Sequence, residues 1–254
     1  MTRGLLREKR LEKYTILYEI PENYTTISSG IFGGFGKYRY IILKTVSRDF
    51  NERDVYKWCR REILDKYNLP NETVVLLTCV DVNDRVRIIE NVEDNTIDVV
   101  MTIGLEPVVC IDYDKIYTPL VGGTINIVVC TDTKLTPQGL LDLYRTIIEA
   151  KTIAIVDTLL ECNSRPTGTM TDTLTISAPI DYKGYTTCSI VTTIGNKLSR
   201  IVYRNIIQKY IQNLENTKLE DIISRIVKNE IRYRKVIIET LWRPRRDLNP
   251  GPTA

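Results

Sequence analysis

The chain has 254 residues, of which 43% are hydrophobic and 26% charged, ordinary values for a globular protein long enough to bury a substantial core. It contains no histidine, which excludes Ser-His-Asp and Cys-His nucleophilic arrangements, imidazole zinc sites and a histidine proton shuttle. The formal net charge of +3 is unevenly spread: residues 200–254 hold 12 Lys/Arg against 6 Asp/Glu, and the other 199 hold 23 against 26, so a slightly acidic body carries a basic C-terminal arm, unlike the dense basic face of a nucleic-acid domain.

The first half reads as strands. Residues 14–20, 24–28 and 38–46 are rich in β-branched and aromatic side chains, bounded by Pro21-Glu22-Asn23 and by a glycine cluster at 30–36. Residues 52–66 place Val55, Trp58, Cys59, Ile63 and Leu64 on one helical face, with Asn51 as the expected N-cap and Pro70 as the stop. Short strands are expected at 73–80, 85–90, 96–103 and 107–111, separated by Asp/Asn turns. The run 124–131 (TINIVVCT) is continuously apolar rather than alternating, as in a central strand covered on both faces.

Pro137 suits the first turn of a helix over 137–160, whose core stripe reads Leu140, Leu141, Tyr144, Ile147, Ile148, Ala154 and Ile155. A loop at 161–170 should lead into a strand at 171–178. Helices are expected at 188–213 and 219–241, the second amphipathic through Ile222, Ile223, Ile226, Val227 and Ile231. The polar, Pro-rich end 243–254 reads as a disordered tail. These elements predict an α+β fold with a mixed β-sheet core and packed helices. A single domain over 1–214 would be followed by a helical C-terminal arm at 215–242.

Six cysteines (Cys59, Cys79, Cys110, Cys130, Cys162, Cys188) show no CxxC pair and read as buried free thiols. The charged start MTRGLLREKRLEK has no apolar leader, and apolar runs elsewhere are short. The expectation is a cytoplasmic protein with no membrane and no nucleic-acid partner. Fifteen Tyr against three Phe suit either half-buried strands or the lining of a site for a large planar ligand.

Five motifs gather Gly, Thr and charged residues at strand ends: 28–36 (SSGIFGGFG), 101–107 (MTIGLEP), 122–127 (GGTINI), 149–154 (EAKTIA) and 167–172 (TGTMTD). Gly33, Gly34 and Gly36 lack both the Lys-Ser/Thr of a P-loop and the GxGxxG spacing. They either let backbone amides approach a ligand or simply make a tight turn. Asn126, polar inside an apolar strand, either holds a neighbouring loop or aims its carboxamide at a substrate carbonyl or the oxyanion formed from it. Glu149 and Lys151 are ordinary for a solvated helix face. Yet Lys151 has the apolar neighbours Ala150, Ile153 and Ala154, and burial there would favour the neutral amine and make it usable as a base. Thr167, Gly168, Thr169, Thr171 and Asp172 suit a polar site wall or an Asp-stabilised turn.

Taken in order and spacing, these motifs resemble the adenosylcobinamide amidohydrolase family, over roughly residues 24–205. The 101–107 segment departs from the family's TAGLSNP-like stretch at Ile103 and Glu106, and GGFG (33–36) replaces a purer NGG loop. The resemblance implies hydrolysis of the amide joining the corrin propionate arm to (R)-1-aminopropan-2-ol. It implies a corrinoid substrate whose cobalt is its own, and no cofactor, ATP or added metal.

Carried onto this sequence, it implies catalytic roles for Thr124 (nucleophile or water-positioner), Lys151 with Glu149 (base and orienter), Asn126 (oxyanion donor) and Asp172 (orienter or acid). Gly33, Gly34, Gly104, Gly122, Gly123, Thr167, Gly168 and Thr169 would bind substrate. Water activated directly by Glu149 or Asp172 is the alternative chemistry. The motif order is also similar to that of enzymes that cleave themselves before a Thr and use its new amine. A non-catalytic corrinoid-binding protein is the alternative function.

Overall fold

The computed structural model describes residues 3–111, 123–158, 160, 162, 164–214 and 217–242. The first half carries strands β1 (Arg7–Glu12), β2 (Thr15–Glu19), β3 (Tyr24–Ser28), β4 (Gly34–Gly36) and β5 (Tyr40–Thr45). Helix α1 (Val55–Cys59) follows and continues as a π-helical stretch, Arg60–Asp65. Then come β6 (Thr73–Thr78), β7 (Val86–Val92), β8 (Asn95–Ile103) and β9 (Val108–Cys110). The second half has β10 (Ile125–Thr131), α2 (Pro137–Asp157), β11 (Pro166–Thr169), β12 (Thr173–Pro179), α3 (Thr193–Leu214) and α4 (Leu219–Trp242). The architecture is α+β with mixed sheets.

Two sheets stack. One has the order β1-β2-β5-β6, the other β4-β3-β12-β10-β8-β7, and β11 pairs with β9 as a separate ribbon. Period-two alternation distributes each strand between two cores. On β10, Ile125, Ile127 and Val129 pack with Leu140, Ile147 and Leu198 of α2 and α3, while Val128 and Cys130 pack with Ile16, Ile41 and Leu76 of the other sheet. That second sheet buries Leu17, Ile42 and Val75 on its outer face, under Cys59, Ile63 and Leu64. The layers are therefore helix, sheet, sheet, helix. Strands covered on both faces need no polar alternation, which explains the unbroken apolar run at 127–130.

Local chemistry explains the helix starts. Thr136 accepts the Gly139 amide at 3.0 Å, with Pro137 at the first helical position of α2. The 55–65 helix is capped by Asp54, whose carboxylate accepts the Lys57 amide at 2.9 Å, and not by the expected Asn51. It begins at Val55, three residues later than expected, where the Asp54 carboxylate satisfies a first-turn amide.

Other expectations are corrected by tertiary contacts. The charged N-terminus forms an edge strand, β1, tied down by Arg85 to Glu8 at 2.5 Å and Arg87 to Glu8 at 3.2 Å. Charged side chains suit an edge strand, so the segment has no apolar signature to find. The loop expected at 161–170 contains β11, and the following strand starts at Thr173 rather than 171. On α2, Leu143 takes the core position and Leu141 is 55% exposed. The amphipathic face of α4 is exposed at Ile223, Ile226, Val227 and Ile231. The segment 243–254 lies outside the described residues.

The free-thiol reading fails for two of six cysteines: Cys110 and Cys162 form a disulfide across 52 residues, with Cα atoms 5.8 Å apart. Sequence spacing hides the pair because the β9–β11 ribbon brings distant segments together. Cys59, Cys130 and Cys188 are buried free thiols and Cys79 is half-buried. Burial pushes the Cys59 thiol up to about 12 and Cys188 up to about 11. No helix among the described residues is long and apolar enough to cross a membrane.

Candidate functional site

The site grows out of one pairing. β10 and β12 run parallel, with Asn126 opposite Thr173 and Ile127 opposite Leu174. Continuing that register backwards puts Thr124 beside Thr171, and their hydroxyls meet at 2.7 Å. The same offset of 47 residues joins the Ile125 amide to Asp172 Oδ1 at 3.0 Å and the Thr173 hydroxyl to Asn126 Oδ1 at 2.7 Å. Two motifs that are far apart in sequence are thus one strip of structure.

Asp172 is the centre of this strip. Oδ1 accepts the Ile125 amide and the Thr169 hydroxyl. Oδ2 accepts the Thr169 amide at 3.0 Å and the Lys151 ammonium at 2.5 Å. Four donors occupy roughly the four lone-pair positions of a carboxylate. Lys151 and Asp172 are only 10% and 12% exposed as side chains. Gly168 leaves room for this pair: a Cβ there would collide with Asp172 Oδ2 and lie 2.5 Å from Lys151 Nζ, so the pair would have to shift.

A cavity of about 490 Å³ opens over the strip. Thr124, Thr171, Asp172 and Thr173 line its floor, and its walls come from Ser29 and Ile31, from Val75, Leu77, Thr78 and Cys79 on and after β6, and from Phe50, Asn51, Glu52, Arg53, Val55 and Tyr56. It lies beside the edge of β6, where Ile31 forms a backbone bridge to Val75. Lys151 stands behind Asp172, on the α2 side, and does not line the cavity. The arrangement offers hydroxyls to an entering ligand, braced from behind by an ion pair.

A family model described as adenosylcobinamide amidohydrolase matches residues 2–218. The chain belongs to that family. A protein of Methanosarcina mazei named adenosylcobinamide amidohydrolase is 28% identical to it over 170 residues, covering 67% of this chain and 74% of the relative.

Against the residues that membership in the adenosylcobinamide amidohydrolase family suggested, the geometry sorts clearly. Thr124, Lys151, Asp172, Gly168 and Thr169 converge. Glu149 does not: its carboxylate pairs with Arg145 at 2.5 Å on the exposed face of α2, so it cannot orient Lys151. Two residues along a helix turn a side chain by about 200°, which sends Glu149 outward when Lys151 points inward.

Asn126 is 1% exposed and spends its carboxamide on structure, donating to the Leu77 carbonyl at 3.0 Å and accepting from Thr173. Gly104 and Gly123 pack on each other, and a Cβ on Gly123 would lie 2.5 Å from the Gly104 carbonyl oxygen. Their role in this structure is a close backbone crossing at the entry to β10. Gly122 lies outside the described residues.

Gly33 is packed under the Ser28 and Gly30 carbonyls and Gly34 lies on β4 with φ +133°. From that motif it is Ser29 and Ile31 that reach the cavity wall. Thr167 donates to the Val109 carbonyl in the β9–β11 ribbon.

Thr173, Ser29, Cys79, Phe50, Asn51, Glu52, Arg53, Val55 and Tyr56 are cavity residues to which sequence reasoning gave no functional role, whereas Thr171 is part of the polar wall that the sequence suggests. For Thr173 a signal existed, since TGTMTDT carries hydroxyls at alternate positions, 167, 169, 171 and 173, as one face of an extended segment would. Among the described residues no group of three or more Cys, Asp or Glu could hold a metal ion.

Proposed function

We propose that this chain hydrolyses the amide between the corrin propionate arm and (R)-1-aminopropan-2-ol in adenosylcobinamide, releasing adenosylcobyric acid and the amino alcohol. The observation that supports it best is the Thr124–Thr171 hydroxyl pair on the floor of a cavity, backed by the Lys151–Asp172 ion pair. Amide hydrolysis without histidine needs a nucleophile, a path for its proton and a donor to the leaving amine. In this reading Thr124 attacks through Oγ1, or holds an attacking water, with Thr171 taking up the hydroxyl's hydrogen bond. Attack by Oγ1 would give an acyl ester on Thr124 and free amino alcohol, and water would then release the carboxylate.

In this reading Asp172 is a positioning residue. With both oxygens occupied, it fixes the start of β10 through the Ile125 amide and the 168–169 turn through Thr169. Lys151 keeps the carboxylate in place rather than meeting substrate.

The test is release of aminopropanol from adenosylcobinamide, with metal chelated, by the wild type and by Thr124→Ala and Thr171→Val. The expected result is turnover by the wild type and a loss of roughly 10²-fold or more in kcat for Thr124→Ala in a protein that still folds. Binding of the corrinoid without any release would leave a corrinoid-binding protein instead. Intact mass separates two versions of the nucleophile: a single 29.3 kDa chain keeps the Thr124 hydroxyl, whereas cleavage before Thr124 would expose its amine.

A further inference from the structure

The cavity is smaller than the proposed substrate. Pockets of about 300–1,000 Å³ take drug-sized ligands, and a corrinoid with its full set of amide side chains is several times larger than those. At about 490 Å³, the space over Thr124 and Thr171 suits the amide arm alone. The macrocycle would have to lie outside it.

The mouth of the cavity supplies a surface. The 50–56 segment brings Phe50, Asn51, Glu52, Arg53, Val55 and Tyr56 to its rim. Tyr56 is 60% exposed, an unusual position for a ring beside a cavity. Both rim aromatics are braced from behind. Tyr56 meets Phe32 edge to face with centroids 5.5 Å apart, and Phe50 meets Trp58 likewise at 4.8 Å. The Arg60 guanidinium lies 5.4 Å from the Phe32 ring on top of that. Rings held this way present a fixed apolar edge at little further cost in conformational entropy. Tyr56 stands on the exposed side of the cavity, whereas Thr124 is 2% exposed.

Resting on the amidase reading of the same cavity, we infer that the enzyme divides its substrate in two. The amide arm enters to reach Thr124, and the macrocycle stays outside, lying against the aromatic rim formed by Tyr56 and Phe50. Tyr56 is then a specificity residue for large planar substrates, and the scissile amide is read separately from the ring. The competing explanation is that these aromatics merely fasten the 46–58 segment to the body.

The experiment compares two amides, adenosylcobinamide and the arm-only N-(2-hydroxypropyl)propanamide, with the wild type and with Tyr56→Ala; the ring is 60% exposed and outside the core, and a thermal melt checks that the fold is kept. The preference for the corrinoid, taken as the ratio of the two kcat/KM values, is expected to fall roughly 3- to 10-fold in the variant, mainly through KM for the corrinoid. An unchanged ratio overturns the inference and leaves the amidase reading standing. If the wild type hydrolyses neither amide, the amidase reading falls. Equilibrium dialysis of the coloured corrinoid then decides the rim: weaker binding to Tyr56→Ala supports it, and equal or absent binding overturns it.

Discussion

Replacing Lys151 by Met tests the centre of the site. The change removes one charge and keeps an unbranched side chain of similar length. It leaves the Asp172 carboxylate, 12% exposed, without its counter-charge. Breaking a buried ion pair from one side costs about 3–5 kcal/mol, because the remaining charge is left uncompensated. Asp172 keeps three donors, the amides of Ile125 and Thr169 and the Thr169 hydroxyl. These hold the cost to the lower end, about 3 kcal/mol.

For a chain of this size, that is a fall of about 6–12 °C in Tm. A carboxylate that shifts by even an ångström also moves the Thr124 end of β10, and misplacement on that scale can cost about 10²-fold in rate. Urea and thermal unfolding, with the aminopropanol-release assay, measure both. Pairing the change with Asp172→Asn closes a double-mutant cycle, and the double variant should lose about 1–3 kcal/mol less than the two single losses together. A loss below about 1 kcal/mol for Lys151→Met, or strict additivity in the cycle, would refute the idea that the pair braces the site.

Gly168→Ala should destabilise the fold by about 1–3 kcal/mol, through overpacking against Asp172 and Lys151, and reduce turnover further than Gly36→Ala, whose added methyl would find its nearest neighbour at 3.7 Å. Parallel melts and assays of the two variants check this. Cys79, half-buried on the cavity wall, should be the first free thiol alkylated in the native protein, slowly because burial raises its pKa. A bulky reagent there should inactivate, and cobinamide should protect; mass spectrometry of the modified chain reads out the site.

The clamp on β1 should weaken in acid. Burial alone would raise the Glu8 pKa, but hydrogen bonding and charge from Arg85, with the charge of Arg87, outweigh it and hold the carboxyl below its ordinary 4.5. A group depressed on folding stabilises fully above its unfolded value, and that contribution is lost as pH falls through the lower folded one. Hydrogen exchange of the β1 amides should therefore accelerate below about pH 4.5 in the wild type and be insensitive to that step in Glu8→Gln.

Much of this protein follows from local pattern. The absence of histidine narrowed the chemistry before any coordinate was known. The apolar run at 127–130 marked the central strand because covering on both faces removes any need for alternation. Pro137 marked the start of α2 because its missing N–H costs nothing in a first turn. The motifs GTIN, EAK and TGTMTD were visible as polar residues where apolar ones were expected.

Their joint meaning was not visible, since each also made sense alone as a turn, a satisfied Asn or a solvated helix face. Only the parallel register of β10 and β12 set Thr124 against Thr171, and only the packing of α2 on β11 brought Lys151 to Asp172. The same packing sent Glu149 to solvent, two residues away but on the other side of the helix. The Cys110–Cys162 link and the aromatic rim arise likewise from segments that meet only after the chain has folded. Sequence periodicity reports which face of an element is buried, whereas which side chains share a site depends on register and on which elements are neighbours, and those are set by contacts between distant residues.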